Sequence, residues 1–388
     1  MALGNGATTG GGATGGSNTA VGTDSTANGD NSTATGYGST AAGTYDSAFG
    51  NAATTKVAGG SQTDGNTALG SGSTANGGES TAAGYQSAAS GLHSTAAGYL
   101  SSATGTNDSA FGEGATTDGA SPLTNGNTAL GGGSTANGGA STAAGYLSSA
   151  NGGYSTAAGT SSRASGQGDI AVGGEATTAV SYPGSQTNGN IAIGSSTVDT
   201  GGTGGNATTA NGGNSIAIGT AAQAQGSGAV AIGYGAVANS DPGTAVGTGA
   251  AANGTNSTAL GAYSTANGAN SVALGAGSVA NRQNSVSVGD SATGYDRQIT
   301  NVAPATNGTD AVNYSQLKGG VATAMAIPYV AVSPGHFGIG IGGAEYEGYD
   351  AVGIAGEYRF KKHLALKLGY STSGPHSEGA SASISWQF

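Results

Sequence analysis

Cysteine is absent from this chain, and charged residues make up only 7% and aromatic residues 6% of its 388 positions. Without cysteine there is no disulfide and no thiolate metal site, as in secreted chains that avoid thiols. The sparse charge is lopsided. The net charge is −11, and Lys56, Arg163 and Arg282 are the only basic residues among the first 282. Nucleic acid or an anionic lipid surface would repel so acidic a stretch, so no nucleic-acid partner is expected. No apolar run approaches the ~20 residues of a membrane-spanning helix; the best candidate, Val321–Val332, is broken by Pro328. The opening MALGNGATTG has neither basic residues nor an apolar core, so no signal peptide is expected in this chain. It is either cytosolic or lacks its true N-terminus.

What is plentiful is glycine, at 79 residues. Glycine at this density with so little charge suggests disorder or a fibre, but 36% of the residues are hydrophobic and recur at fixed spacing. In NSVALGAGSVANRQNSVSVGD (Asn270–Asp290) the unit Asn-Ser-Val-x-Val/Leu-Gly occurs twice, closing on Gly275 and Gly289. Such closing glycines return every fourteen residues, as in the run Gly70, Gly84, Gly98, Gly112. The step lengthens only where stretches such as KVAGGSQTDG and SYPGSQTNG intervene, and then resumes in register. Insertions that leave a register intact are loops between the coils of a solenoid. Fourteen residues are too few for a helical repeat, and glycine opposes helix. They suffice for two short strands and two tight turns. Some eighteen coils stacked at about 4.8 Å predict a rod of roughly 85 Å. Alternation in SVALG puts Val272 and Leu274 on one face and Ser271 and Ala273 on the other. Taking the first pair as interior also turns Thr81, Thr95 and Thr258 inward. So thin a core buries little apolar area against about 1–2 kcal/mol of backbone entropy per residue, and lateral association of several rods is expected.

After Leu317 the repeat gives way to longer alternating strands. In AVGIAGEYRF, Val352, Ile354, Tyr358 and Phe360 share one face, and Ala351, Gly353, Ala355, Glu357 and Arg359 the other. HFGIGIGGAEY, LALKLGYS and ASASISWQF make three more strands, with turns near 347–350, 361–363 and 373–377. A half-buried soluble sheet alternates similarly. Small inner residues and an apolar-face Phe388 favour an outer-membrane barrel. Four strands cannot close a barrel, and an open edge in lipid leaves backbone groups unpaired, so the barrel is expected to be shared between chains. TDAVNYSQLKGGVATAMAI (Thr309–Ile327) is the expected helix to fill its lumen.

Three of these segments resemble the YadA-like trimeric autotransporter adhesins. They are the head repeat NSVALGAGSVAN, with Arg282 where glycine is usual, the neck SVSVGDSATGYDRQITNVAPATNGTDAVNYSQL, and residues 319–388 as a membrane anchor. The resemblance implies an all-β chain with a head of trimeric left-handed parallel β-rolls over 1–282 and a neck over 283–317. It implies an anchor over 318–388, a short helix plus four strands of a shared twelve-stranded outer-membrane barrel. It further implies a homotrimer, outer-membrane lipid and the barrel-assembly machinery as partners, and export of the head through the barrel. The head would stand on the cell surface with the anchor in the outer membrane, close together because no coiled-coil stalk separates Leu317 from the barrel.

No catalytic or cofactor constellation emerges. GIGIGG (338–343) fits a dinucleotide motif but continues as a strand rather than a helix, and His93, His336, His363 and His376 have no metal spacing. Asn-x-Ser/Thr triplets fall out of the repeat. The expected function is multivalent adhesion to an extracellular matrix protein such as collagen, to a host cell, or to another bacterial cell in a biofilm, without catalysis. Candidate contacts are Tyr85, Tyr99 and Tyr146, which, like Tyr37 and Tyr234, follow closing glycines. By analogy with collagen-binding relatives, Asn270, Ser271, Val272, Ala273, Leu274, Gly275 and Ser278 are further candidates. The rival expectations are an ice-binding solenoid, disfavoured because outward Thr74, Thr135 and Thr265 stand on scattered coils, and a purely structural fibre.

Overall fold

The structure, a computed structural model, describes residues 1–10, 16–56, 65–118, 125–178, 189–197, 206–361, 363–374 and 377–386. Phe388, His376 and most of the inserted residues lie outside them. Two units, Met1–Arg297 and Gln298–Phe388, are described separately.

The first unit is a parallel β-solenoid whose strands, among the described residues, form two sheets, of nineteen and eighteen strands. Each strand pairs with its counterpart one coil on, as Thr81–Ala83 does with Thr95–Ala97. The register survives the insertions: Ser109 pairs with Thr128 and Ile191 with Ile216. Stacking continues past residue 282, where Val286 pairs with Val272. The strands are two or three residues long. At the corners the chain turns through left-handed residues such as Leu100 (φ 55°) and closing glycines such as Gly84 (φ 144°).

One expectation is reversed. Ser271 and Ala273 are fully buried, whereas Val272 is half-buried and Leu274 is 43% exposed. The same holds along the stack: Ala82, Ala96 and Ala129 are interior, and Thr81, Thr95 and Thr258 face outward with Thr74, Thr135 and Thr265. Strands this short enclose a narrow space, and a close-packed interior of that width is filled mostly by alanine and serine, with Thr55, Thr117 and Thr178 among its bulkier members and no leucine or isoleucine among the described residues. Many of the buried hydroxyls are satisfied locally, as where Ser87 Oγ donates to the Gly84 carbonyl at 3.0 Å, while those of Ser32, Ser94 and Ser155 have no partner.

A buried polar column runs inside the coils and changes character at the insertions. Most coils place serine there, but Asp46, Asp108 and Asp169 occupy it immediately before a lengthened step, each followed by a buried asparagine. Asp46 accepts the N–H of Gly43 and of Asn66, both at 2.8 Å. Asn66 Oδ1 then accepts the Ser80 N–H and hydroxyl at 3.2 and 2.8 Å. Asp108–Asn127–Ser141 and Asp169–Asn190–Ser215 repeat the arrangement. The longer side chains carry the hydrogen-bond chain across the steps that the insertions lengthen.

Burial raises the Asp46 carboxyl above its ordinary value, opposed by hydrogen bonds from Thr55, Asn66 and Gly43. The folded state therefore holds this proton more tightly than the unfolded chain. The contribution is full below pH 3.8 and is lost as pH rises through the raised folded value. Asp46→Asn removes that loss, so the variant is expected to gain stability relative to the parent as pH rises across the window. Melting temperatures of both proteins from pH 3 to 7 test this; a constant difference would contradict it.

The second unit is one helix and a four-stranded antiparallel sheet. Helix α1 spans Tyr314–Ala326, five residues shorter at its start than the sequence expectation. Asn313 ends it on that side through a capping box, accepting the Gln316 N–H at 2.9 Å while Gln316 reaches back to the Asn313 N–H. Asp310 instead closes the preceding turn by accepting the N–H groups of Thr306 and Asn307, which hold its carboxyl below the ordinary range.

The strands Phe337–Tyr346, Tyr349–Lys361, Leu364–Thr372 and Glu378–Trp386 pair in sequence order, so the outer two each have one neighbour. Ile341, Val352, Leu368, Ile384 and Trp386 project from the face turned away from α1, Ile341 being 82% exposed. The opposite face is glycine-lined because the chain lies on it: a Cβ at Gly340 would stand 2.7 Å from the Val330 side chain, and one at Gly342 2.5 Å from the Ala326 carbonyl oxygen. On that inner face Glu357 is fully buried between Arg359 at 3.2 Å and Lys367 at 3.1 Å. No helix among the described residues is long and apolar enough to cross a membrane.

Candidate ligand-binding surfaces of the head

The sequence-derived candidates separate into two places. Tyr85 and Tyr99 lie one coil apart on the edge that follows the first sheet, and their rings stack at 5.5 Å between centroids and 9° between planes. Tyr146 stands on the same edge, and all three are exposed. The tyrosines are held outward because each follows a closing glycine and precedes a left-handed corner residue: Gln86, Leu100 or Leu147.

The second group, at the C-terminal end of the solenoid, is largely internal. Ser271 and Ser278 are fully buried, donating to the carbonyls of Gly268 and Leu274, each at 2.7 Å. Asn270 is exposed but bound into an amide ladder with Asn256 and Asn284, at 3.2 and 3.0 Å. Gly275 abuts Arg297, whose guanidinium donates to Ser278 Oγ at 2.9 Å and to the Val288 carbonyl at 2.8 Å. Of the seven residues Asn270–Gly275 and Ser278, Asn270 and Leu274 are the two exposed ones. A second amide ladder, Asn239–Asn253–Asn267–Asn281, runs at 2.8–2.9 Å. The asparagine ladders and the role of Arg297 escaped sequence reading, although the fourteen-residue recurrence of Asn239, Asn253, Asn267 and Asn281 was a usable signal.

Turning the interior inside out also exposes an extended face. On the outer side of the first sheet, Ile170 and Val172, Ile191 and Ile193, Ile216 and Ile218, and Val230 and Ile232 build two parallel aliphatic columns; the first then passes through Thr244 and Thr258 before Val272, while the second stays aliphatic through Val246, Leu260 and Leu274. N-terminal to them the first column is hydroxylic, running Thr67, Thr81, Thr95, Ser109, Thr128, Thr142 and Thr156, while its neighbour holds Leu69, Ala83, Ala97, Phe111, Leu130, Ala144 and Ala158. The threonine column is thus more continuous than the expected inward parity allowed, but on this sheet no second threonine column stands beside it. Among the described residues no group of three or more His, Cys, Asp or Glu is placed to hold a metal ion.

A repetitive solenoid head followed by a membrane-type sheet defines a class, that of anchored surface adhesins, and the comparisons with known proteins agree. The YadA head domain repeat matches residues 13–39, 29–53, 67–87, 75–101, 89–115, 103–121, 150–176, 210–236, 238–264 and 266–292. The coiled stalk of trimeric autotransporter adhesin matches residues 298–326, and the YadA-like membrane anchor domain residues 329–388. Among solved structures, the crystal structure of the collagen-binding domain of Yersinia adhesin YadA is similar at 21% identity, over 66% of this chain and 81% of that one, with a TM-score of 0.23. The chain belongs to the YadA-like trimeric autotransporter adhesins. Residues 329–388 are the outer-membrane anchor of that family, and the head is the surface-exposed part. The stalk match overlaps the neck expected over 283–317 and ends at residue 326, shortly after Leu317; within it, α1 is the helical part.

Proposed function

We propose that three copies of this chain form a multivalent surface adhesin, with binding carried by the head and with the head exported through the C-terminal barrel. The observation that carries this reading is the anchor sheet, with four strands, two unpaired outer edges, an apolar outer face and an inner face filled by α1 and the segment after it. Three such sheets close a twelve-stranded barrel and leave no edge in lipid. The paired aliphatic columns from Ile170 and Val172 to Val230 and Ile232 supply the matching seam between heads. The target is an extracellular matrix protein such as collagen, or the surface of another cell; three identical rods present each weak contact repeatedly, and avidity raises the total. The test is to display the chain on a bacterium behind a signal peptide. Heat-resistant trimers in detergent-extracted outer membranes are expected, together with adhesion that disappears when residues 1–282 are deleted. Unchanged adhesion after the deletion would remove binding from the head.

A further inference from the structure

The residue after the closing glycine varies along the solenoid edge in an informative order: Tyr85, Tyr99, Glu113, Gly132, Tyr146. Where two coils lack an aromatic ring, the edge opens into a cleft of about 310 Å³. Tyr99 and Leu100 form one wall and Tyr146 and Leu147 the other, with Gly132 and Gly133 at the bottom and Glu113 beside them. The walls are three coil steps apart, roughly 14 Å at the usual strand spacing. Tyr99 is braced from behind by its stack on Tyr85. Gly133 keeps the bottom bare at a left-handed position (φ 62°), and a Cβ there would press on the end of the Leu147 side chain at 2.7 Å.

The chemistry of this cleft is one-sided. Its lining side chains offer two aromatic rings and one carboxylate, and no donor beyond the tyrosine hydroxyls. The N–H groups of Gly133 and Leu147 are spent on the carbonyls of Glu113 and Gly132, at 2.8 and 2.9 Å. A sugar is gripped by donors and acceptors together, whereas a cation needs only π faces and negative charge. The surroundings favour the same ligand, because residues 1–282 carry twelve acidic side chains against three basic ones. We infer that this cleft is a recognition site for a lysine or arginine side chain on a basic segment of the adhesin's target protein. The inference rests on the adhesin reading above and names the partner chemistry of that surface. Each ammonium or guanidinium lies against a tyrosine face and pairs with Glu113, and a trimer offers three such clefts.

The experiment uses the full chain displayed on cells and a fluorescent hexa-arginine peptide as probe. Gly132→Tyr fills the cleft with a residue the same corner already holds in neighbouring coils, and Gly132 has no left-handed φ to strain. Glu113→Gln keeps the shape and removes the charge. Both variants are expected to bind the peptide about tenfold more weakly than the parent, with the parent's binding falling as salt rises. Equal binding by all three would overturn the site and leave only the diffuse acidic field of the head. A neutral oligosaccharide whose binding is lost in Gly132→Tyr and retained in Glu113→Gln would overturn the cationic ligand. Tyr99 and Tyr146 resisting surface iodination in the assembled trimer would also overturn it. Heat-resistant trimers and surface labelling are scored for each variant. Their absence from the parent counts against the adhesin reading and the cleft with it; their presence without peptide discrimination counts against the cleft alone.

Discussion

Gly138→Ala is expected to break the head at one place while the coils on either side stay folded. The added Cβ would stand 1.9 Å from the Gly152 carbonyl oxygen and 2.2 Å from its carbon, both backbone atoms of the next coil. Gly138 has no left-handed φ, so the whole cost is the collision. Relief requires the two coils to part, which stretches ladder bonds such as Asn137 N–H to Ala150 O at 3.0 Å and Thr135 N–H to Ser148 O at 2.9 Å. The loss should exceed the usual range of about 0.5–3 kcal/mol for a point substitution. Because each coil of a solenoid touches only its neighbours, the damage stays local. Limited proteolysis should cut near residues 138–152, and the thermal transition should split. Gly38→Asn is the contrasting substitution. Gly38 is left-handed (φ 61°) with nothing within 4 Å of its missing Cβ, and Asp24 already holds φ 55° at the same corner one coil earlier. Asparagine tolerates that conformation, so its effect should stay within about 0.5 kcal/mol. A single unshifted melt for Gly138→Ala would mean that the coils are not stacked at this distance.

The coil length, the tolerance of insertions and the four anchor strands were all legible, because each is a statement about period, and period survives without coordinates. The sign of the alternation was not. Val272 and Leu274 against Ser271 and Ala273 is a clear two-face pattern, and the habit of putting the larger pair inside gave the wrong side. Volume decides here: a coil whose strands are two or three residues long has no room for leucine, so its larger apolar residues go outward. The hint was in the repeat itself. The column of Ala82, Ala96, Ala129 and Ala273 is alanine in coil after coil, as a packed interior demands, while the Thr81 column drifts through threonine, serine, isoleucine and valine. The start of α1 was similarly available in Asn313 and Gln316, spaced as a capping box. The cleft was harder, since Tyr99, Glu113, Gly132 and Tyr146 are up to 47 positions apart in the chain and become neighbours only when the coils are stacked and read across.

Gly353→Val should abolish the anchor. A Cβ on Gly353 would stand 2.4 Å from the Ala326 carbonyl oxygen, 2.8 Å from its carbon and 3.1 Å from Ser371 Cβ. Ala326 is the last residue of α1. Gly342, the register partner of Gly353 on the adjacent strand, meets the same carbonyl. The two glycines therefore form the seat on which the helix ends, and the helix is tied to the same face where Ser371 Oγ donates to the Thr323 carbonyl at 2.7 Å and Thr323 Oγ1 to the Ser377 carbonyl at 3.0 Å. Valine adds three carbons to a site with no room for the first, and the atoms in its way are main chain rather than the end of a flexible side chain. The helix terminus must lift, uncovering the part of the glycine- and alanine-lined inner face on which it sits and displacing the segment through Pro328 and Val330 that follows it. The expected result is loss of heat-resistant trimers from detergent-extracted outer membranes and a fall of surface-displayed head to background. Val352→Ile, one residue away on the exposed apolar face, adds a methylene toward lipid and should leave both readouts at the parental level. Parental trimers and display in Gly353→Val would show that α1 is not seated against these strands in the membrane, and the filled interior assigned to the anchor would have to be abandoned.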